Sequence, residues 1–235
     1  MHIEILHLIE GATQAQGLTV IIDVFRAFST ACYVVRNGAQ EIIPVGDVDL
    51  AYQLKEDNPD YVLMGERKGK ILPGFDYGNS PTEIQDIDFS GKSVIQTTSA
   101  GTQGFANAKD ADELISGSFV NAEAVVTYIK KRSPAKVSLV CMGTWAVRRA
   151  DEDTLCAEYI ADRLNHQKPD KTDIYTRLRK SKPAQIFFDP ALTWAPETDF
   201  DFCLNIGLCN FVLKAEKMEK GLMALKPISP PAFTA

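Results

Sequence analysis

Apolar runs of strand length alternate with segments of helical period along most of the chain. LTVIID (18–23) predicts a buried strand, and RAFSTACYVVRNG behind it carries Ala27, Ala31, Val34 and Val35 at near-helical spacing before a Gly38 stop. EIIPV (41–45) predicts a short strand, VDLAYQLKED (48–57) a helix capped by Asp47, and YVLMGE (61–66) a further strand. Beyond a long loop come the strand SVIQTT (93–98), a helix in SAGTQGFANAKDA (99–111), the strand ELISGS (113–118) and a helix from Ser118 through AEAVVTYIKKR. KVSLVCMG (136–143) is the clearest buried strand and DEDTLCAEYIADRLN (151–165) the clearest amphipathic helix. Residues 168–198 are polar and Pro-bearing, with a helix at DKTDIYTRLRK. The tail FVLKAEKMEKGLMALKPI reads as two short strands around Lys220-Gly221, ending in SPPAF.

This alternation predicts an α/β fold, three-layer α/β/α, with a mainly parallel central sheet covered on both faces. No low-complexity linker divides the chain, so residues 1–235 are expected to form one domain, the alternative being two lobes of about 1–92 and 93–235. There is an internal βα echo: TVIIDVFRAFSTA matches SVIQTTSAGTQGFANA, and more faintly VSLVCMGTWAVRRADEDT. Each copy is a buried strand that delivers small or polar residues to its carboxyl end, where a helix begins. In open α/β sheets that edge is where ligands bind, and helix starts there favour anions.

Composition narrows the partners. With 25 Lys and Arg against 31 Asp and Glu, the net charge of −6 offers no general attraction to nucleic acid or to an anionic membrane. No apolar run approaches the roughly 20 residues of a membrane span, and MHIEILHLIEGA lacks the basic and apolar regions of a secretory signal. The expectation is a cytoplasmic protein acting on a small anionic molecule, with an isologous homodimer as its assembly. Five scattered cysteines among apolar neighbours, without CxxC or a His cluster, read as reduced buried thiols.

Candidate chemistry gathers at the strand ends. Asp23 closes a buried strand three residues before Arg26. The pair forms either a salt bridge or helix cap, or a metal-binding acid beside a guanidinium that clamps a phosphate or sulfonate oxygen. Thr97, Thr98, Ser99 and Thr102 are either ordinary caps or contacts to an anion. GERKGKILPGFDYGNSP (65–81) follows another buried strand and interleaves Leu72, Phe75 and Tyr77 with charges, so it should pack back on the body as a binding loop. Asp23, Glu66 and Asp76, with Glu152 and Asp153 from the acidic start of the helix at 151, make a set of oxygen ligands suited to Mg²⁺ or Mn²⁺. GxSxG, Walker and GxGxxG patterns are absent, and Val24 and Phe25 stand where a haloacid-dehalogenase phosphatase would carry its second Asp.

In order and spacing, DVFRAFST, GERKG with GFDYGNSP, TTSAGT and EDTLCA resemble the 2-phosphosulfolactate phosphatase family over roughly residues 18–165. The resemblance implies a Mg²⁺-dependent phosphatase that converts 2-phosphosulfolactate and water to 3-sulfolactate and phosphate, a step towards coenzyme M. Family members in organisms lacking that coenzyme would act on another small acidic phosphate ester. The alternative is a catalytically silent relative that binds such an ester as a sensor. The implied catalytic residues are Asp23, Arg26, Glu66 and Asp76, and the implied metal ligands are Asp23, Glu66, Asp76 and Glu152 or Asp153. Ser29, Thr30, Asn79, Thr98, Ser99, Gly101 and Thr102 would bind substrate, with Arg67 meeting its second anionic group. TTSAGT stands where many members have TTNGT, and RAFST where RASTT is common; both departures fall in the expected anion pocket.

Overall fold

The computed structural model describes residues 1–229, so the SPPAF end falls outside the described residues from position 230. The described strands form one ten-stranded sheet built from two parallel blocks. One block is β1 (His2–His7), β8 (Lys136–Cys141), β2 (Gly17–Ile22) and β7 (Ala111–Gly117), all parallel. The other is β3 (Glu41–Pro44), β6 (Ser93–Thr97) and β4 (Val62–Arg67), again parallel, with β5 (Lys70–Ile71) folding back on β4. The tail supplies the antiparallel hairpin β9 (Val212–Lys217) and β10 (Met223–Ile228), which joins the blocks by pairing with β7 and β3.

The period-2 pattern explains why both faces are covered. Leu18, Val20 and Ile22 of β2 enter one core with α6 (Ala122–Arg132) and α7 (Asp151–Leu164). Ile21 enters the other with α1 (Leu8–Gln14), α2 (Ala27–Arg36) and α5 (Gly101–Asn107). In the second block Ile43, Leu63 and Ile95 pack beneath α3 (Val48–Asp57), while Ile42, Met64 and Val94 face the opposite side. Asp47 caps α3 as its sequence predicts, its Oδ1 accepting from the Asp49 N–H at 2.8 Å. The alternation along the chain thus yields the three-layer α/β/α arrangement. No described helix is long and apolar enough to cross a membrane.

Two elements carry little signal in the sequence. β1 is an edge strand with only Leu6 buried, so its alternation is weak, and α1 follows it without a loop. The polar stretch 168–198 contains the expected helix, α8 (Lys171–Arg179), and then docks rather than standing free. Phe200 of α9 (Glu197–Cys203) is fully buried, with ring centres of Phe25, Tyr175 and Phe188 5.8, 5.2 and 5.2 Å away. Burying such a ring stabilises by about 2–3 kcal/mol, enough to hold α9 against the start of α2.

Candidate active site

The carboxyl ends of β2, β8, β6 and β4 converge, and each brings polar groups. Asp23, the first residue after β2, accepts the Ala27 N–H on Oδ1 at 3.2 Å. A Cβ at Gly101 would lie 2.9 Å from Asp23 Oδ2, so the start of α5 comes this close only because residue 101 is glycine. Asp153 joins the ends of two strands: Oδ1 accepts the Val24 N–H at 2.8 Å and Oδ2 the Gly143 N–H at 2.7 Å. Glu66 does the same between β4 and β6, accepting from the Ser99 N–H at 2.7 Å, the Gly69 N–H at 2.6 Å and the Ser99 hydroxyl at 3.1 Å. Glu152 is buried beside them, and its Oε2 has no hydrogen-bond partner among the described residues.

These four carboxylates are each less than a tenth exposed, and like charges gathered in so small a buried space favour a proton or a cation among them. Burial pushes the Asp23 carboxyl well up, and the charges of Asp153 and Glu66 add to it. Burial likewise raises Glu152, helped by Asp153 and Asp23. Asp153 is pushed up to about 6 by burial, against the pull of the Val24, Gly143 and Met142 N–H groups.

Above this floor is a cavity of about 530 Å³ with a cationic and aromatic rim that includes Lys68, Arg148, Arg149, Lys182 and the indoles of Trp145 and Trp194. Arg26 reaches it from the start of α2. Its Nη1 donates to Asp199 Oδ2 at 2.7 Å and to the Trp194 carbonyl at 2.8 Å, and its Nη2 donates to the Gly69 carbonyl at 3.4 Å. The guanidinium lies 5.6 Å from the centre of the Trp194 ring.

Asp23, Arg26, Glu66, Asn79, Thr98, Ser99, Glu152 and Asp153 therefore share one cavity. Asn79 is buried there, its Oδ1 without a partner among the described residues. Gly101 underlies Asp23, and Thr102 sits one turn behind, its hydroxyl donating to the Thr98 carbonyl at 3.1 Å.

Four expected residues lie elsewhere. Asp76 does not join the carboxylates, because the loop returns along the first half of β4. Its Oδ2 accepts the Leu63 N–H at 2.8 Å and faces Lys55 Nζ at 3.5 Å. Leu63 precedes Glu66 by three strand residues, roughly 10 Å. Arg67 follows Glu66 on the strand and so points to the opposite side. It donates to the Gly46 carbonyl at 3.0 Å and to Thr97 Oγ1 at 2.7 Å, outside the cavity. The Ser29 hydroxyl turns inward to the Val24 carbonyl at 2.8 Å, and Thr30 Oγ1 is buried without a partner among the described residues, neither lining the cavity.

Trp194 and Lys182 line the cavity, and Asp199 holds Arg26 from behind it, without a local signal to announce them. An acid in the first turn of a short helix looks like a dipole partner, and only the docking of α9 gives Asp199 a role. TWAVRR is visible in the sequence as a strand-end segment, and the structure adds that its Trp145, Arg148 and Arg149 form part of the rim.

Fold and site define an α/β protein with a carboxylate-floored, cation-rimmed pocket for a small anion. The family model for 2-phosphosulpholactate phosphatase matches residues 3–218. A Bacillus subtilis (strain 168) protein named "Probable 2-phosphosulfolactate phosphatase" is 32% identical over 208 residues, 85% of this chain and 87% of that protein. One of the same name from Carboxydothermus hydrogenoformans is 32% identical over 234 residues, covering 95% of this chain and 97% of the relative. Another, from Caldicellulosiruptor saccharolyticus, is 39% identical over 155 residues, 64% of each chain. The chain belongs to the 2-phosphosulfolactate phosphatase family, a family of phosphoric monoester hydrolases.

Proposed function

We propose that this chain hydrolyses a small acidic phosphate ester in a Mg²⁺-dependent reaction, 2-phosphosulfolactate being the first substrate to test. The observation that carries the reading is Glu152 Oε2, buried and unpartnered among the described residues at the cavity floor, between carboxylates that repel one another. Among the described residues no three acids, histidines or cysteines form a ready-made metal cage. Mg²⁺ does not ask for one: it keeps several waters and takes one or two carboxylates plus substrate phosphate oxygens. Glu152 and Asp23 fit that demand, with Asp153 and Glu66 holding the strand ends around them. Bound there, the ion would neutralise phosphate charge and acidify a water.

The remaining roles belong to the chain itself. Arg26 presents fixed N–H donors to the equatorial oxygens of a phosphoryl group as charge spreads over them. The Asn79 amide, the Thr98 hydroxyl and Ser99 bound the same space. Lys182, Arg148 and Arg149 offer the rim charge for a carboxylate or sulfonate on the ester. A cytoplasmic, reducing setting suits five cysteines that are all buried and free.

The test is phosphate release from a panel of phosphorylated hydroxy acids, with Mg²⁺ and with chelator. Release that requires Mg²⁺ supports the reading. If no ester is cleaved while ester and Mg²⁺ still raise the thermal midpoint, the protein is a binder rather than an enzyme.

The ion has a second readout. The Asp153 carboxyl, at about 6 against its usual 3.8, contributes stability that is full below about pH 4 and lost as pH rises through about 6. Metal binding at Asp23 and Glu152, both pushed well up by burial, likewise needs them deprotonated. The rise in thermal midpoint on adding Mg²⁺ is therefore expected to grow between pH 5 and pH 8, and a rise independent of pH argues against these ligands.

A further inference from the structure

We propose that Asp199 is a positioning residue that fixes the Arg26 guanidinium towards the phosphoryl site. This rests on the reading of Arg26 given above. Asp199 is fully buried and does not line the cavity, so it reaches a substrate only through Arg26. Its two oxygens divide their work. Oδ1 accepts from the Ser80 hydroxyl at 2.8 Å, the Thr82 N–H at 2.9 Å and the Thr82 hydroxyl at 2.7 Å. Oδ2 is left to Arg26 Nη1 at 2.7 Å, in an ion pair whose members are 4% and 0% exposed.

The carboxylate is thus anchored by the end of the 65–81 loop and the start of α4 (Pro81–Ile84), and it cannot follow Arg26 if the guanidinium swings. Nη1 is filled by Asp199 and by the Trp194 carbonyl, which turns the remaining donors of the planar fork away from them. As an ion pair the two residues carry no net charge. What they bring to a phosphate is hydrogen bonding in a fixed direction rather than net charge, and misdirection by about 1 Å costs a rate about a hundredfold. One acid outside the pocket therefore ties the end of the 65–81 loop to the orientation of the arginine inside it.

A bond needed only for folding and a bond needed for orientation separate in a double-mutant cycle on kcat. Asp199→Asn is expected to lower kcat about tenfold or more, with a smaller change in KM. In the Arg26→Ala background the same substitution should change kcat by no more than about twofold, because the group it positions is gone. Asp199→Glu keeps the charge but shifts it by one methylene, and serves if the Asn variant does not fold; it too should lose kcat. Equal losses in both backgrounds, or an unchanged kcat in folded Asp199→Asn, overturn the proposal. So does failure of every Asp199 variant to fold when Arg26→Ala folds, since the acid would then serve the fold independently of the arginine.

If the native protein cleaves no ester in the panel, the same four proteins are compared by calorimetric titration with inorganic phosphate. Weaker phosphate binding in each single variant, not compounded in the double, sustains the positioning role although the enzymatic reading has failed. Additive weakening, or none, ends it.

Discussion

Asp23→Asn is expected to lower kcat for phosphate release by about 10²-fold or more, while the protein stays folded and keeps its cationic rim. Asparagine matches aspartate in size and can still accept the Ala27 N–H, now at 3.2 Å. What disappears is one charge in a buried group of like charges, so the proton affinity of Glu152 should fall and the metal-free protein should lose no stability at pH 8. A Mg²⁺ titration of the rate separates two causes. A requirement shifted to higher Mg²⁺ marks Asp23 as holding the ion; an unchanged requirement with a lower ceiling marks it as acting on the phosphoryl group or the water. A variant that keeps more than about half of native kcat removes Asp23 from the site altogether, since even one preorganised charge in such a setting is worth far more than a factor of two.

The strand ends of this site were readable because their signal is local. A run such as LTVIID must be buried, its carboxyl end must lie at a sheet edge, and the residue standing there, Asp23, is named by position alone. Glu66, Thr98 and Ser99 follow by the same logic from YVLMGE and SVIQTT. Asp76 and Arg67 lie away from the cavity for two different reasons. Arg67 is one residue along a strand from Glu66, and the period of two sends neighbours to opposite faces; the pattern already held that information. Asp76 depends on the path of a loop whose return along β4 is fixed by long-range bonds, such as the Gly65 N–H to the Tyr77 carbonyl at 3.1 Å. No spacing rule gives such a path. Asp199 lies further still from local signals, 173 positions from the arginine it holds, and its place is set by aromatic packing of α9 rather than by any motif. The hairpin β9–β10 was expected from its turn, but its insertion between two parallel blocks is a property of the assembled sheet.

Gly65→Ala should be the most damaging single methyl near the site, destabilising by about 2–4 kcal/mol. Gly65 has φ +149, and a Cβ there would stand 2.0 Å from the Thr97 carbonyl oxygen, on the partner strand with which it is in register. That atom is backbone inside a parallel ladder, so relief requires β4 and β6 to separate where they deliver Glu66 and Ser99. Gly74→Ala supplies the comparison: φ is +72, but no described atom lies within 4 Å of the added Cβ, so only the backbone strain of about 1 kcal/mol is expected. Denaturant midpoints of the two variants, read beside their rates of phosphate release, test the link between strand and site. The Gly65→Ala protein should lose activity even under conditions where it remains folded, because the 2.7 Å bond from the Ser99 N–H to Glu66 spans the gap that the methyl opens. Equal midpoints for the two variants would show that β4 yields without moving β6. Glu66 would then be held by its own loop through Gly69, not by the junction of the two strands.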